Sequence, residues 1–294
     1  MEKRDILQKN FRIFIFLSGF ILLLEVVGGI FTNSLALLSD AGHVLIDLLA
    51  LMMAYFAMQL ARKKSTEKFT FGYYRAEILA AITNGFVLIF VTLYIFYESY
   101  VRFSSPQLIK GPEMLIISII GLLGNLYVVI KMQSYEKENL NVRAAYLHVL
   151  TDLLSSVGVV IAGILIIITG NYIFDIIISV IIGLFILVSS LRLLTKSIYI
   201  LMEAIPESID LEKLMKDIKK IEGVMDVHDL HIWSITSDVY ALSSHVLIDA
   251  KNVKAMNKII SRMNKMLKLK YNITHTVIQS ECKSCVDGKN KHNH

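Results

Sequence analysis

Two apolar stretches of this chain each carry a histidine followed four residues later by an aspartate. These are His43 and Asp47 in SLALLSDAGHVLIDLLA, and His148 and Asp152 in AAYLHVLTDLLSSVG. Residues at i and i+4 lie on one face of a helix, so each pair points in one direction. An Asp at a helix centre in a bilayer is unfavourable by at least ~2.5 kcal/mol, and intramembrane ionisable groups are functional by default. Two imidazoles and two carboxylates can close a tetrahedral shell around a borderline-soft divalent cation, with Zn2+ the usual occupant. A single pair reads equally well as a packed, hydrogen-bonded His and Asp. Its repetition in a second apolar stretch favours one shared metal site.

Asp40 shares the stripe of His43 and Asp47, nearer the outer end of its span, and reads as a route or helix-capping residue rather than a direct ligand. Glu25, Asn84 and Asn125 are further polar residues in apolar stretches. Each alone more often makes an interhelical hydrogen bond than lines a water-filled path.

These pairs need membrane-spanning helices to hold them. The chain has 294 residues, 55% of them hydrophobic, and the apolar ones crowd before residue 200. Six segments, near 11–31, 35–60, 78–100, 113–133, 144–169 and 172–196, have the roughly 20 apolar residues a span requires. No cleavable signal is expected, because the first apolar helix is followed almost at once by another. Lys3, Arg4, Lys9 and Arg12 precede the first span, Arg62, Lys63, Lys64, Lys68 and Arg75 follow the second, and Lys131, Lys137 and Arg143 flank the fourth-to-fifth connection. FTNS (31–34) and TGNY (169–172) carry no basic residue. The positive-inside rule then puts both termini in the cytoplasm of a multi-pass plasma-membrane protein. These loops and the Lys-rich tail account for the net charge of +5, so no nucleic-acid partner is called for; lipid is the surrounding partner.

The apolar pattern stops near Met202, and Pro206 marks a boundary. The expected domains are a six-helix transport domain (1–202), a cytoplasmic α+β domain (206–281) and a tail (282–294). SIDLEKLMKDIKKIEG has helical spacing, VMDVHDLHIWSI and VYALSSHVLID alternate as strands about the polar TSD, VKAMNKIISRMNKMLKL is helical again, and YNITHTVIQSE closes as a strand. The order is αββαβ, a two-layer unit whose thin core would benefit from dimerisation or a metal.

His231, His245 and Glu281 sit on separate strands at positions that could converge. Cys282 and Cys285 follow at CxxC spacing, which suits Zn2+; the alternative, a redox motif, needs a thioredoxin-like βαβ context that nothing here supplies. On the cytoplasmic side these thiols stay reduced. A lone His on a strand is usually a satisfied polar residue, so His228 and His275 weigh little, and His292 and His294 in the tail less; residues 286–294 are expected to be disordered.

Together, SLALLSDAGHVLID, FGYYRAEILAAITNG, HVLTD, HDLHIWSI, SSHVLI and TVIQSE resemble the cation diffusion facilitator family of zinc exporters, in the family's order and from about residue 10 to 282. The resemblance implies that His43, Asp47, His148 and Asp152 form the transport site for Zn2+, with Cd2+ or Co2+ also handled by some members. It implies metal–proton antiport by a homodimer, with K+ as an alternative counter-ion, and a metallochaperone-like cytoplasmic domain. His231, His245 and Glu281 match that domain's metal ligands. The CxxC matches tails that donate thiolates across the dimer. Arg75 and Glu203 match a charge pair at the membrane–cytoplasm junction that helps hold the dimer. Some bacterial relatives carry ligands in the second-to-third loop, where this chain has Glu67, Phe69, Tyr73 and Tyr74; the fourth-to-fifth loop reads SYEKENLN and lacks the His run of many eukaryotic relatives, which points to a bacterial-type member.

Zn2+ needs neutral imidazoles and ionised carboxylates, so metal and protons exclude each other at such a site. A histidine titrates near physiological pH, which suits exchange. Three other classes compete. An intramembrane metalloenzyme would need an open coordination position and a base, and no HExxH occurs. A zinc sensor would not need two HxxxD pairs in the membrane. A passive channel would not move metal against a gradient. The expectation is a transporter and not an enzyme, with the cytoplasmic domain sensing metal.

Overall fold

Long apolar runs without proline force the first two-thirds of the chain into helices, since only helices satisfy their own backbone groups in lipid. The computed structural model describes residues 2–45, 48, 60, 66–133, 140–236, 239–249 and 253–281, with backbone alone over 2–15, 132 and 140–149. Its helices are α1 (Glu2–Thr32), α2 (Leu35–Leu45), α3 (Ala76–Ser104), α4 (Gly111–Gln133), α5 (Leu140–Thr169) and α6 (Ile173–Leu201). Among the described residues, four stretches are long and apolar enough to cross a membrane: Ala76–Ser104, Gly111–Lys131, Leu150–Thr169 and Ile173–Leu201. The apolar parts of α1 and α2 within the described residues, Phe16–Thr32 and Leu35–Leu45, are shorter. Half of the second expected span, 35–60, lies outside the described residues.

The chain divides into two compact units, residues 1–55 with 83–194 and residues 56–82 with 195–294. The first buries Ala36, Leu37, Leu88, Met114, Val159 and Ile186 in one cluster. Phe90, Leu123, Ile168 and Phe185 instead stay more than half exposed, as side chains facing acyl chains would.

The start of α2 is fixed by α6. Asn33 turns the chain at φ 60, and Ser34 caps α2 by accepting from Leu37 N–H at 3.1 Å. Asp175 of α6 takes up the remaining donors: Ser34 Oγ at 2.6 Å, Leu35 N at 2.8 Å and Ala36 N at 3.1 Å. A buried carboxylate at a helix N-terminus is favourable because it satisfies N–H groups that have no intrahelical acceptor.

The second unit contains α7 (Leu211–Lys219), β1 (Val224–Thr236), β2 (Val239–Ile248), α8 (Val253–Tyr271) and β3 (Ile273–Glu281). Asp210 caps α7 by accepting from Lys213 N–H at 3.0 Å. Gly223, at φ +96, turns the chain from α7 into β1. The sheet order is β1-β2-β3, antiparallel then parallel, so α8 is the crossover that a parallel pair demands. Leu214, Ile218, Leu242, Val246, Met263 and Leu267 form the fully buried layer between helices and sheet. This is the αββαβ order read from the alternation; Thr236 pairs with Val239, and Ser237 and Asp238 of the expected TSD turn lie outside the described residues.

Candidate metal sites

α2 and α5 present the first site. His43 Nε2 lies 3.2 Å from Asp152 Oδ1, with both side chains largely enclosed. The contact is not aligned as a hydrogen bond, and Asp152 Oδ1 has no hydrogen-bond partner among the described residues. A buried carboxylate oxygen left this way carries a desolvation cost that a cation would relieve. The donor set therefore fits a divalent metal as cargo. The backbone of His148 lies in α5, one turn before Asp152; Asp47 is outside the described residues. A cavity of about 140 Å³ opens at His43, lined also by Thr151, Ser155, Gly158 and Phe185, with room for roughly four waters at ~30 Å³ each.

Asp40, buried at 2% exposure, is bound by two hydroxyls of α5: Ser155 Oγ donates to Oδ1, and Ser156 Oγ donates to Oδ2 at 3.0 Å. Asn125 Nδ2 of α4 donates to Ser156 Oγ at 3.0 Å. Asp40 thus sits in a hydroxyl network and does not cap α2; that role belongs to Ser34 and Asp175. Ser155 and Ser156 carried no signal in the sequence, because serines in a membrane helix usually donate back to their own helix.

The second site forms on the sheet. His228 and His245 are directly paired across β1 and β2, with ring centroids 5.4 Å apart. Glu281, the last residue of β3, bridges them: Oε1 is 2.7 Å from His245 Nδ1 and Oε2 is 3.3 Å from His228 Nε2. Donor atoms of these three residues lie within 4.8 Å of one another. Two imidazoles and a carboxylate suit Zn2+ and leave a coordination position for one more donor.

The structure thus brings His245 and Glu281 together and supplies His228 as the third member. His231, read from the sequence as that third member, is one rung away opposite Ser243, with Nε2 2.9 Å from Asp229 Oδ1. Asp229 Oδ2 in turn lies 3.7 Å from His245 Nε2. The physical reason is a bulge: three steps along β1, from His228 to His231, match two along β2, from His245 to Ser243, and Asp229 adopts φ 50 within it. Strict alternation would put His228 and His231 on opposite faces; the extra residue puts both on one. An Asp tolerates positive φ better than most residues, and that is the hint of the bulge the sequence carries. Cys282 and Cys285 lie outside the described residues.

Within the second unit, Arg75 Nη2 and Glu203 Oε1 lie 2.7 Å apart, both substantially exposed, with Glu203 at φ 59. Two residues on from Arg75, Glu77 Oε2 accepts from Thr236 Oγ1, and the rings of Phe71 and His275 stand edge-on at 6.2 Å. His275 is therefore a packing partner and not a member of the three-residue cluster.

Comparison with known proteins agrees along the length of the chain. Residues 11–202 match the cation efflux transmembrane domain, and residues 206–282 match the cytoplasmic domain of cation efflux proteins. The chain is 46% identical over 284 residues to the cadmium, cobalt and zinc/H(+)-K(+) antiporter of Bacillus subtilis, covering 96% of this chain and 88% of that protein. It is 41% identical over 278 residues to the metal cation efflux system protein CzcD of Cupriavidus metallidurans, covering 95% and 88%. It is 38% identical over 285 residues to the zinc transporter ZitB of Yersinia pestis, covering 92% and 90%. The solved metal-bound C-terminal domain of the CzcD transporter shares 38% identity, covers 25% of this chain and 99% of its own, and superposes with a TM-score of 0.23.

Proposed function

The chain belongs to the cation efflux family of transmembrane transporters, and from that premise we propose that it exports Zn2+ from the cytoplasm in exchange for protons. Cd2+ and Co2+ are further cargo, and K+ is an alternative counter-ion, following the description of the Bacillus subtilis relative. In this reading residues 1–202 form a six-span transport domain, residues 206–281 a cytoplasmic domain, and residues 282–294 a tail; both termini are cytoplasmic, and the working unit is a homodimer.

His43, Asp47, His148 and Asp152 hold the cargo. The observation that carries this is the approach of His43 to Asp152 at 3.2 Å from two different helices, each already paired in sequence with a second potential ligand four residues away. Facing the cytoplasm, the deprotonated site takes Zn2+ and two aspartates balance its charge. Facing outward, protons from a more acidic side compete with the metal and neutralise the site for its return. Asp40 and its hydroxyls order α2 and α5 beside the path.

His228, His245 and Glu281 bind a regulatory Zn2+, with His231 and Asp229 alongside and Cys282 and Cys285 as further donors. Arg75 and Glu203 hold the junction at the dimer. Metal in the cytoplasmic domain tightens that dimer and favours the inward-facing state.

The test is zinc flux in sealed proteoliposomes, with and without an imposed pH gradient. Proton-driven zinc movement that is abolished by Asp47→Ala or Asp152→Ala is the expected result. Wild-type flux indifferent to a pH gradient overturns proton exchange, and wild-type vesicles that bind zinc and move none overturn transport.

A further inference from the structure

The turn between α1 and α2 is held by three other parts of the first unit, at the end of the helices that faces outward in the topology proposed above. Arg102 of α3, only 7% exposed, donates from Nη1 to Asn33 O at 2.6 Å and from Nη2 to Asn33 Oδ1 at 3.2 Å. Its Nε donates to Glu98, one turn earlier on α3, at 2.8 Å. From the connection between α3 and α4, Gln107 Oε1 accepts from Asn33 Nδ2 at 2.8 Å, and Lys110 N donates to Thr32 O at 3.1 Å. Asp175 of α6 takes the next three residues, Ser34, Leu35 and Ala36, as described above. A buried guanidinium is unfavourable unless it is paired and hydrogen-bonded, so drawing α3 away from this turn would strand a charge.

Behind the turn, an apolar layer separates two cavities. The outer one, about 350 Å³, is lined by Arg102, Asp175, Asn171, Ile109 and Tyr172. The inner one is the cavity at His43, walled on α6 by Ile178 and Ile182. Ile109, Tyr172, Ile178 and Ile182 belong to a single packed cluster, in which Ala162 and Ile166 of α5 are buried. A close-packed apolar layer stops a divalent cation, which finds neither water nor ligands there. We propose that metal leaves the His43 site through the outer cavity, and that the contacts of Arg102 and Asp175 with the α1–α2 turn are the latch that holds the apolar layer shut. α2 carries the latched residues in its first turn and His43 about two turns later, so parting the latch frees the helix that bears a ligand. This inference rests on the transport reading above and names its exit route.

The experiment reads access to the inner cavity. Gly158 lines that cavity, and a Cβ there would meet Ile178 Cγ2 at 3.6 Å, an ordinary contact, so Gly158→Cys places a thiol in it. Full-length protein with Gly158→Cys, Cys282→Ser and Cys285→Ser is reconstituted in sealed vesicles. A cationic, membrane-impermeant methanethiosulfonate is applied from one side and then the other. Arg102→Gln and Asn33→Gly, the latter suited to the φ 60 turn, are expected to raise labelling from the side bearing Asn33 by about tenfold, the effect of one charge-assisted hydrogen bond on a closed–open equilibrium. Rates unchanged in both variants, with zinc bound as in the parent, overturn the latch; a rise only from the opposite side overturns the exit route. A second reading uses Asn33→Cys with Gln107→Cys, joined by a short reducible bifunctional thiol reagent. Cross-linking is expected to stop zinc flux, zinc binding to persist, and reduction to restore the flux; cross-linked protein that moves zinc as fast as the same protein before cross-linking overturns the proposal. Failure of the transport reading shows separately, as parent vesicles that bind zinc and move none, and the labelling rates then still decide the latch.

Discussion

Asp152 shows why a single side chain can decide what the first site does. It combines near-complete burial, an imidazole within 3.2 Å and an oxygen with no hydrogen bond among the described residues. Removing it leaves three of the four expected ligands, so Asp152→Ala should weaken zinc binding in the membrane by at least about tenfold, read by competition with a zinc dye in micelles. Asp217 supplies a contrasting case at the surface of the cytoplasmic domain. Lys270 Nζ and Tyr271 Oη both donate to its carboxylate, the tyrosine at 2.6 Å, and together they pull its pKa down from 3.8 to about 2. A carboxyl depressed on folding stabilises the fold above its unfolded value, and that contribution disappears as pH falls from about 4 to about 2. Burial and the same hydrogen bond push the Tyr271 hydroxyl up to about 12, so the bond persists on the alkaline side until that range. Asp217→Asn should therefore lower the denaturation midpoint at neutral pH and match wild type near pH 2. Trp233 of β1 is the chain's one tryptophan, so its fluorescence reports this domain alone.

Element by element, the sequence was most legible where one period dominates. Apolar length announced α3 to α6, and alternation announced β1, β2 and β3 within two residues of their observed ends. The bulge in β1 was not legible, because periodicity assumes that each residue advances the face by one step. Asp175 was also missed as a structural residue, since nothing local in NYIFDIII indicates that its partners lie some 140 positions earlier. Its carboxylate closes the end of α2 on which His43 rides. Asp175→Ala should leave the N–H groups of Leu35 and Ala36 without their acceptor and cost about 1–3 kcal/mol, seen as a lower thermal midpoint in micelles. Zinc affinity should fall with it, because the helix bearing His43 loses its anchor. In the cytoplasmic domain, Leu267→Ala removes a fully buried side chain from α8 and should destabilise the fold by about 2–5 kcal/mol, checked by denaturant unfolding with Trp233 as reporter.

For the whole molecule, membership of the cation efflux family explains why a strongly apolar chain ends in a compact αββαβ domain. Among the described residues, histidine meets carboxylate both among the apolar helices, at His43 and Asp152, and on the sheet, around Glu281. The two settings differ in dielectric and in access to water. The intramembrane site should therefore respond more steeply to pH, which parallel zinc titrations of Asp152→Ala and His245→Ala proteins between pH 6 and 8 would measure.

The parallel placement of β3 has a bearing on biosynthesis. His228 and His245 face each other across a hairpin of neighbouring strands, a local pairing that can form as soon as residue 248 has left the ribosome. Glu281 arrives only after α8 has crossed over and the final strand has docked. Until then the cluster is incomplete, and on the proposed reading a nascent chain with its spans already in the bilayer would present only a two-histidine site of low affinity. If the cluster binds zinc as proposed, a chain ended after Tyr271 should keep both histidines and lose most of the zinc affinity, which titration of the two chains would measure.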